Sequence, residues 1–256
     1  MQDFDIQIKR FLVQFIDKGA YKEVLKGLEN TMTIAFFGFI LGIFIGTLIA
    51  IIRVLPKNNV MPKSGTKLVR IMYYTRSYVI PKILDSLCSL YVGVFRGTPI
   101  VVQLLVFYFV ILPLMGLARV DSITVAILVF GMNSGAYISE IMRGGILSVD
   151  PGQMEGGRSV GMSYGATMLR IVIPQAIKNI LPTLGNEFIA LIKETSVASF
   201  VGALDLYKAF RSIGAATYQY MVPYLTMAVI YIVIVMVITM LIKLMERGLR
   251  KSDRGR

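Results

Sequence analysis

The sequence predicts an all-α integral membrane protein with five transmembrane helices, an N-terminal interfacial helix and a short polar helix in a central cytoplasmic loop. Three observations carry this expectation. Mean hydropathy is +0.69, with 55% hydrophobic and 16% charged residues, whereas soluble chains are about a quarter charged. The runs 31–52 and 222–242 contain no charged residue, and each matches the roughly 20 residues needed to cross a bilayer. The net charge of +12 sits in segments beside the apolar runs, the pattern of an orientation signal rather than of a nucleic-acid patch. The runs are continuous, which excludes the alternating strands of a membrane barrel.

Each element follows from local pattern. In the N-terminal segment 1–30, Asp3, Asp5, Asp17, Glu23 and Glu29 offset Lys9, Arg10, Lys18, Lys22 and Lys26, and Phe4, Ile8, Phe11, Leu12, Phe15 and Ile16 recur at helical spacing. That combination predicts an amphipathic helix lying in the membrane interface. It lacks the compact apolar centre and cleavage site of a signal peptide. The transmembrane domain is expected over 31–245, with spans at about 31–52, 97–114, 122–140, 177–196 and 222–242. In the first span Gly38, Gly42, Gly46 and Ala50 recur every four residues, a stripe suited to close helix packing in lipid.

The stretch 53–82 carries Arg53, Lys57, Lys63, Lys67, Arg70, Arg76 and Lys82 and no acid. Pro56, Pro62, Ser64 and Gly65 mark a cytoplasmic loop leading into an amphipathic helix, with the basic residues touching anionic headgroups. The fourth span is expected to be broken, because Pro174 and Pro182 interrupt it. Its Glu187 and Lys193 suit a structural polar contact and a water-lined path equally. The polar segment 202–221, with Asp205, Lys208 and Arg211, is expected outside. The tail 246–256 is basic and, with Lys243, predicts a cytoplasmic C-terminus; five spans then put the N-terminus outside. Cys88 is the single cysteine, so no internal disulfide forms, and its apolar neighbours give it a packing role. The chain has no histidine and no G-x-x-x-x-G-K-[ST] run, so it carries no P-loop ATPase of its own.

The most patterned stretch is 151–174, PGQMEGGRSVGMSYGATMLRIVIP. Its small residues permit close backbone approach. Glu155 near a helix start is favoured by the macrodipole, and Arg158 can pair with it three residues on. Pro174 can open the helix that follows. Glu155-Gly156-Gly157, three residues, Gly161, nine residues, then Ile171-x-Ile173-Pro174 resembles the EAA loop of ATP-binding-cassette (ABC) importer permeases, with two Gly for Ala and one Ile for Leu. Three further stretches are similar to the polar-amino-acid branch of that family (importers of histidine, glutamate, glutamine, arginine and opines). These are Tyr91-x-x-x-Phe95-Arg96-Gly97-Thr98-Pro99 with Gln103-Leu104, then Gly135-Ala136-Tyr137 through Gly145-Ile146, then Leu184-Gly185-Asn186-Glu187 through Thr195-Ser196. The resemblance covers residues ~20–250, though the connection 56–82 is longer than the family's usual one.

The resemblance implies a permease subunit of a bacterial cytoplasmic-membrane importer for polar amino acids. It would work by alternating access and catalyse no covalent chemistry itself. It implies a coupling helix that docks on a separate ABC ATPase, which holds ATP and Mg; this chain holds no cofactor or metal. The coupling residues would be Gln153, Glu155, Gly156, Gly157, Arg158, Gly161, Met162 and Ser163. The translocation path would draw on Gln103, Asn133, Glu140, Glu187, Lys193, Thr195 and Ser196. The other implied partners are a second permease subunit, identical or not, and an external solute-binding protein. The competing expectation is a stand-alone secondary transporter of small polar solutes, supported only by the broken fourth span.

Overall fold

The computed structural model describes residues 2–54, 72–117 and 119–251, and it is helical with no strand among them. Helix α1 (Gln2–Leu12) runs on through a π turn, Val13–Asp17. Then follow α2 (Tyr21–Val54), α3 (Met72–Gly97), α4 (Ile100–Leu114) and α5 (Ser122–Leu147). Next come α6 (Pro151–Ser159) and α7 (Tyr164–Thr167), which passes through the π turn Met168–Val172 into α8 (Ile173–Glu194). The 3-10 stretch Thr195–Val201, α9 (Leu206–Thr217) and α10 (Met221–Lys251) complete the order.

Among the described residues, four helices are long and apolar enough to cross a membrane: α2, α3, α5 and the Met221–Arg247 part of α10. Three correspond to expected spans, each longer than expected. The expected span 97–114 corresponds to α4, which begins at Ile100 after a break. Thr98 is extended, with φ −122° and ψ 145°, because the residue before a proline is pushed out of the helical region. The residues ahead of the break form a long helix of their own, α3, and α4 follows it. At 1.5 Å per residue α4 is too short to cross ~30 Å alone.

The basic stretch 53–82 is helical from Met72 onward; its portion 55–71 lies outside the described residues, as do tail residues 252–256. The expected break in the fourth span is absent, since α8 runs continuously with Pro182 inside it. Pro174 is the second residue of α8, just past the π turn, where the hydrogen-bond ladder changes register and a missing N–H is accommodated.

The chain divides into two compact units, Met1–Leu41, Ile100–Gly131 and Leu181–Arg256 against Gly42–Pro99 and Met132–Ile180. In the first, Phe11 of α1 and Ala20 and Val24 are buried with Leu206, Ala209, Phe210 and Ile213 of α9 and Val222 of α10. The segment 202–221 is therefore a packed helix, not a solvated loop. Its N-cap Asp205 is fully buried and accepts from the Lys208 amide at 2.8 Å. A clamp on α2 holds this corner: Asn30 Nδ2 donates to the Leu204 carbonyl at 2.7 Å, and Thr31 Oγ1 accepts from the Leu206 amide at 3.1 Å.

In this first unit a Cβ on Gly38 would lie 3.3 Å from Phe130 Cβ. In the second unit a Cβ on Gly42 would lie 3.0 Å from Ser134 Cβ, and one on Gly46 would lie 2.9 Å from Ile138 Cβ. The predicted small-residue stripe is thus the seam between α2 and α5. Helix α5 returns the arrangement with Gly131 beside Leu41 and Gly135 beside Ile45. The second unit's other core joins Ile49, Val92 and Ala136, with Cys88, Tyr91 and Phe95 packed on it. Cys88 has the packing role expected of it.

Candidate functional site

The central loop builds its own short helix from local chemistry. Asp150 caps α6, accepting from the Gly152 amide at 2.8 Å, and Pro151 opens it at the position where a missing N–H costs nothing. The acid at the helix start is therefore Asp150 rather than Glu155, which lies a full turn inside. Arg158 does not pair with Glu155: its Nη1 donates to the Met162 carbonyl at 3.1 Å. That bond reinforces the helix end. Gly161 stands at φ +86°, its amide bonded to the Arg158 carbonyl at 3.1 Å and the Met162 amide to that of Gly157 at 3.1 Å. This pair of bonds is the Schellman stop. Ser163 then caps α7, accepting from the Ala166 amide at 3.2 Å.

The three motif glycines have three different surroundings. Gly161 supplies the left-handed backbone. Gly157 is buried against Thr167 and Ile171 of its own chain. Gly156 is exposed with open space around it. Gln153, Glu155, Gly156 and Arg158 are exposed, and Gln153 Oε1 accepts from Gln175 Nε2 at 3.1 Å. The result is a capped, exposed helix pinned from behind. Between it and the ends of α2 and α5 is a cavity of about 340 Å³, lined in part by Arg53, Arg143, Leu147, Met154, Tyr164 and Met168.

The expected path residues fall in two places. In the first unit Gln103 is buried on the part of α4 that packs against the 3-10 stretch holding Thr195 and Ser196. Thr195 is buried, its hydroxyl donating to the Ile192 carbonyl at 2.7 Å; Ser196 Oγ donates to that of Lys193 at 3.2 Å. Lys193 is exposed and Glu187 half-buried. In the second unit Asn133 Nδ2 donates to the Phe95 carbonyl at 3.2 Å, which ties α5 to the Tyr91–Phe95 stretch; Tyr91 Oη donates to the Met132 carbonyl at 2.6 Å. Glu140 receives Arg143 at 2.8 Å, as the three-residue spacing predicts, and also the guanidinium of Arg53. Two arginines thus saturate its carboxylate.

The roles of Asp150, Arg53 and Asp205 were not visible from pattern alone. Asp150 could have been found as an Asp-Pro pair ahead of a helix. Arg53 depends on a partner 87 residues away in sequence, Glu140, and the cap at Asp205 on the fold that buries it.

Comparison with known proteins agrees with this geometry. Residues 71–251 match the family model for the binding-protein-dependent transport system inner membrane component. The arginine transport system permease protein ArtQ of Bacillus subtilis is 34% identical over 90% of this chain and 94% of its own length. A putative glutamine transport system permease protein GlnP of Rickettsia typhi is 33% identical over 93% of this chain and 97% of its own. Among solved structures, a crystal structure of an amino acid ABC transporter with histidines superposes with TM-score 0.75 at 35% identity, covering 91% of this chain and 98% of that one. The MetNI methionine ABC transporter shares the fold, with TM-score 0.68 at 18% identity over 88% of this chain. A membrane-embedded helical chain with a capped, exposed EAA helix and these relatives is a member of the binding-protein-dependent transport system inner membrane component family, the permease subunits of ABC importers.

Proposed function

We propose that this chain is the permease of an importer for polar amino acids, and that α6 with its flanking residues 153–163 is the surface a partner ATPase grips. The observation that carries the reading is the build of α6. Caps at both ends and the buried Gly157 hold it rigidly on its own chain, while Gln153, Glu155, Gly156 and Arg158 remain exposed. A rigid exposed helix transmits displacement, whereas a slack loop absorbs it. ATP and Mg would be held by the ATPase, a second permease would face this one, and a solute-binding protein would deliver substrate. The polar-amino-acid class follows from the relatives named above.

For translocation, the candidates are Gln103, Thr195, Ser196, Glu187 and Lys193 in the first unit and Asn133 and Glu140 in the second. Glu140 is engaged by Arg53 and Arg143 and Asn133 by Phe95, which suits holding the helices in place. We place the C-terminus and α6 in the cytoplasm and the N-terminus outside, from the basic residues around 53–82 and in the tail.

Proteoliposomes holding the complex should take up a polar amino acid only with the ATPase and ATP inside the docking compartment. Glu155→Arg should leave the helices folded while cutting ATP-driven uptake by tenfold or more, on the order of the 1–3 kcal/mol typical of coupling between sites. Uptake by the lone chain on an ion gradient, or full uptake by the variant, would overturn the reading.

A further inference from the structure

Within the first unit, the structure holds a groove that transport does not explain. Phe11, Ile8 and Phe15 seat α1 on α9 and α10. That seating turns a different face of α1 toward the C-terminal end of α9. Between them lies a cavity of about 450 Å³, lined by Lys9, Arg10, Val13, Gln14 and Lys18 together with the Ala216–Tyr218 end of α9. Three cations line it and no carboxylate does. Among the described residues no ion pair engages the Lys9, Arg10 or Lys18 side chain.

The rim carries an independent sign. Tyr218 is the one non-glycine with positive φ among the described residues, at 54°. It ends α9 by the Schellman pair of bonds, Gln219 amide to Gly214 carbonyl at 3.1 Å and Tyr218 amide to Ala215 carbonyl at 3.4 Å. The same stop after α4, after α6 and after the 3-10 stretch uses Gly116, Gly161 and Gly202. At Tyr218 the chain keeps a strained residue where glycine would be free of strain. Its own packing does not explain this, since the side chain is 91% exposed.

The neighbourhood identifies the ligand. On α1 and its π turn, Leu12, Val13 and Ile16 are exposed, so apolar surface adjoins the cations directly. The groove flanks the first residues of α2 and α10, where Tyr21 and Tyr220 are also exposed. Tyrosines at the start of spans, with cations and apolar side chains on one short helix, are the pattern of a membrane–water boundary.

We propose that this groove is a binding site for the headgroup of an anionic phospholipid, with Lys9, Arg10 and Lys18 around its phosphate, the acyl chains along Val13 and Ile16, and Tyr218 closing the rim. The site rests on α2 and α10 being membrane spans, and on neither the substrate nor the side of the membrane proposed above.

The test is native mass spectrometry of the assembled complex titrated with phosphatidylglycerol, phosphatidylcholine or inorganic phosphate. Phosphatidylglycerol should be retained in preference to phosphatidylcholine. Each of Lys9→Gln, Arg10→Gln and Lys18→Gln should weaken that preference about fivefold, the worth of one cation near an anionic headgroup. Tyr218→Gly should lower retention while raising the thermal midpoint, because it removes the strain; a purely structural tyrosine would lower both. Equal retention of the two lipids, an unchanged preference in all three charge variants, or displacement of the lipid by millimolar inorganic phosphate would overturn the proposal. So would charge variants that keep the lipid preference but lose affinity for the solute-binding protein, which would make the groove a protein-docking surface.

Discussion

Substituting alanine at Gly156 or at Gly157 restores the family's usual residue in each case, yet the two changes should have opposite effects. A Cβ on Gly156 meets nothing within 4 Å, so Gly156→Ala should stabilise α6 by up to ~1 kcal/mol through helix propensity. A Cβ on Gly157 would lie 2.9 Å from Thr167 Oγ1 and closer still to its Cγ2. Thr167 cannot turn away freely, because its hydroxyl donates to the Ser163 carbonyl at 3.0 Å and its β-branched side chain is stiff. Gly157→Ala should therefore cost ~1–3 kcal/mol by overpacking. Thermal midpoints of the two variants would check this; a stabilised Gly157→Ala would show that α6 moves freely over Thr167.

Asp205 gives a pH-dependent prediction at the same scale. Burial raises its carboxyl to about 6 against amide bonds and Lys208, which pull the other way, while an exposed aspartate titrates near ~4. Between those values the folded chain binds more protons than the unfolded one. Stability from this group is thus fullest at low pH and is lost as pH rises through about 6. Relative to Asp205→Asn, the wild type should gain about 1 kcal/mol on acidification from pH 7 to 5, read as a difference in thermal midpoints. Identical pH profiles would contradict it.

At the scale of elements, the α2–α5 seam makes the strongest statement. Gly42 and Gly46 meet Ser134 and Ile138 within 3.0 Å of an ideal Cβ, and the close approach lies along backbone as well as side chains. Gly42→Leu should separate the helices and cost at least ~1–3 kcal/mol, whereas Gly93→Leu on α3, where nothing lies within 4 Å, should be nearly neutral. Thermal unfolding in detergent compares them, and equal losses would mean that the seam is loose. This seam was legible because a four-residue repeat of small residues survives any uncertainty in helix ends. The matching Gly131 and Gly135 on α5 were not singled out, since only two glycines mark them. Helix limits were less legible. Hydropathy marks where charge begins, but α2 continues ten residues before its uncharged run because a buried Val24 and Gly27 pack that turn on its neighbours. Proline signals were uneven: Pro182 sits inside a continuous helix, whereas the chain does break at Thr98-Pro99, splitting what hydropathy joins.

For the whole molecule, the membrane class, the family and the helix at 151–159 were all written in the sequence, because each rests on composition or fixed spacing. The interior of the site was not. Glu155 pairs by neither of its expected routes, since Asp150 holds the helix start and Met162 takes Arg158. Such choices depend on where the backbone turns, and spacing alone does not encode that. The account's central claim is that α6 faces the cytoplasm and lies under an ATPase. The direct measurement is labelling of Gly156→Cys in a Cys88→Ser background with a membrane-impermeant maleimide. Labelling should occur in inside-out vesicles alone, slow when the ATPase is bound and quicken when it is stripped away. Labelling from the outer side, or a rate indifferent to the ATPase, would contradict the account.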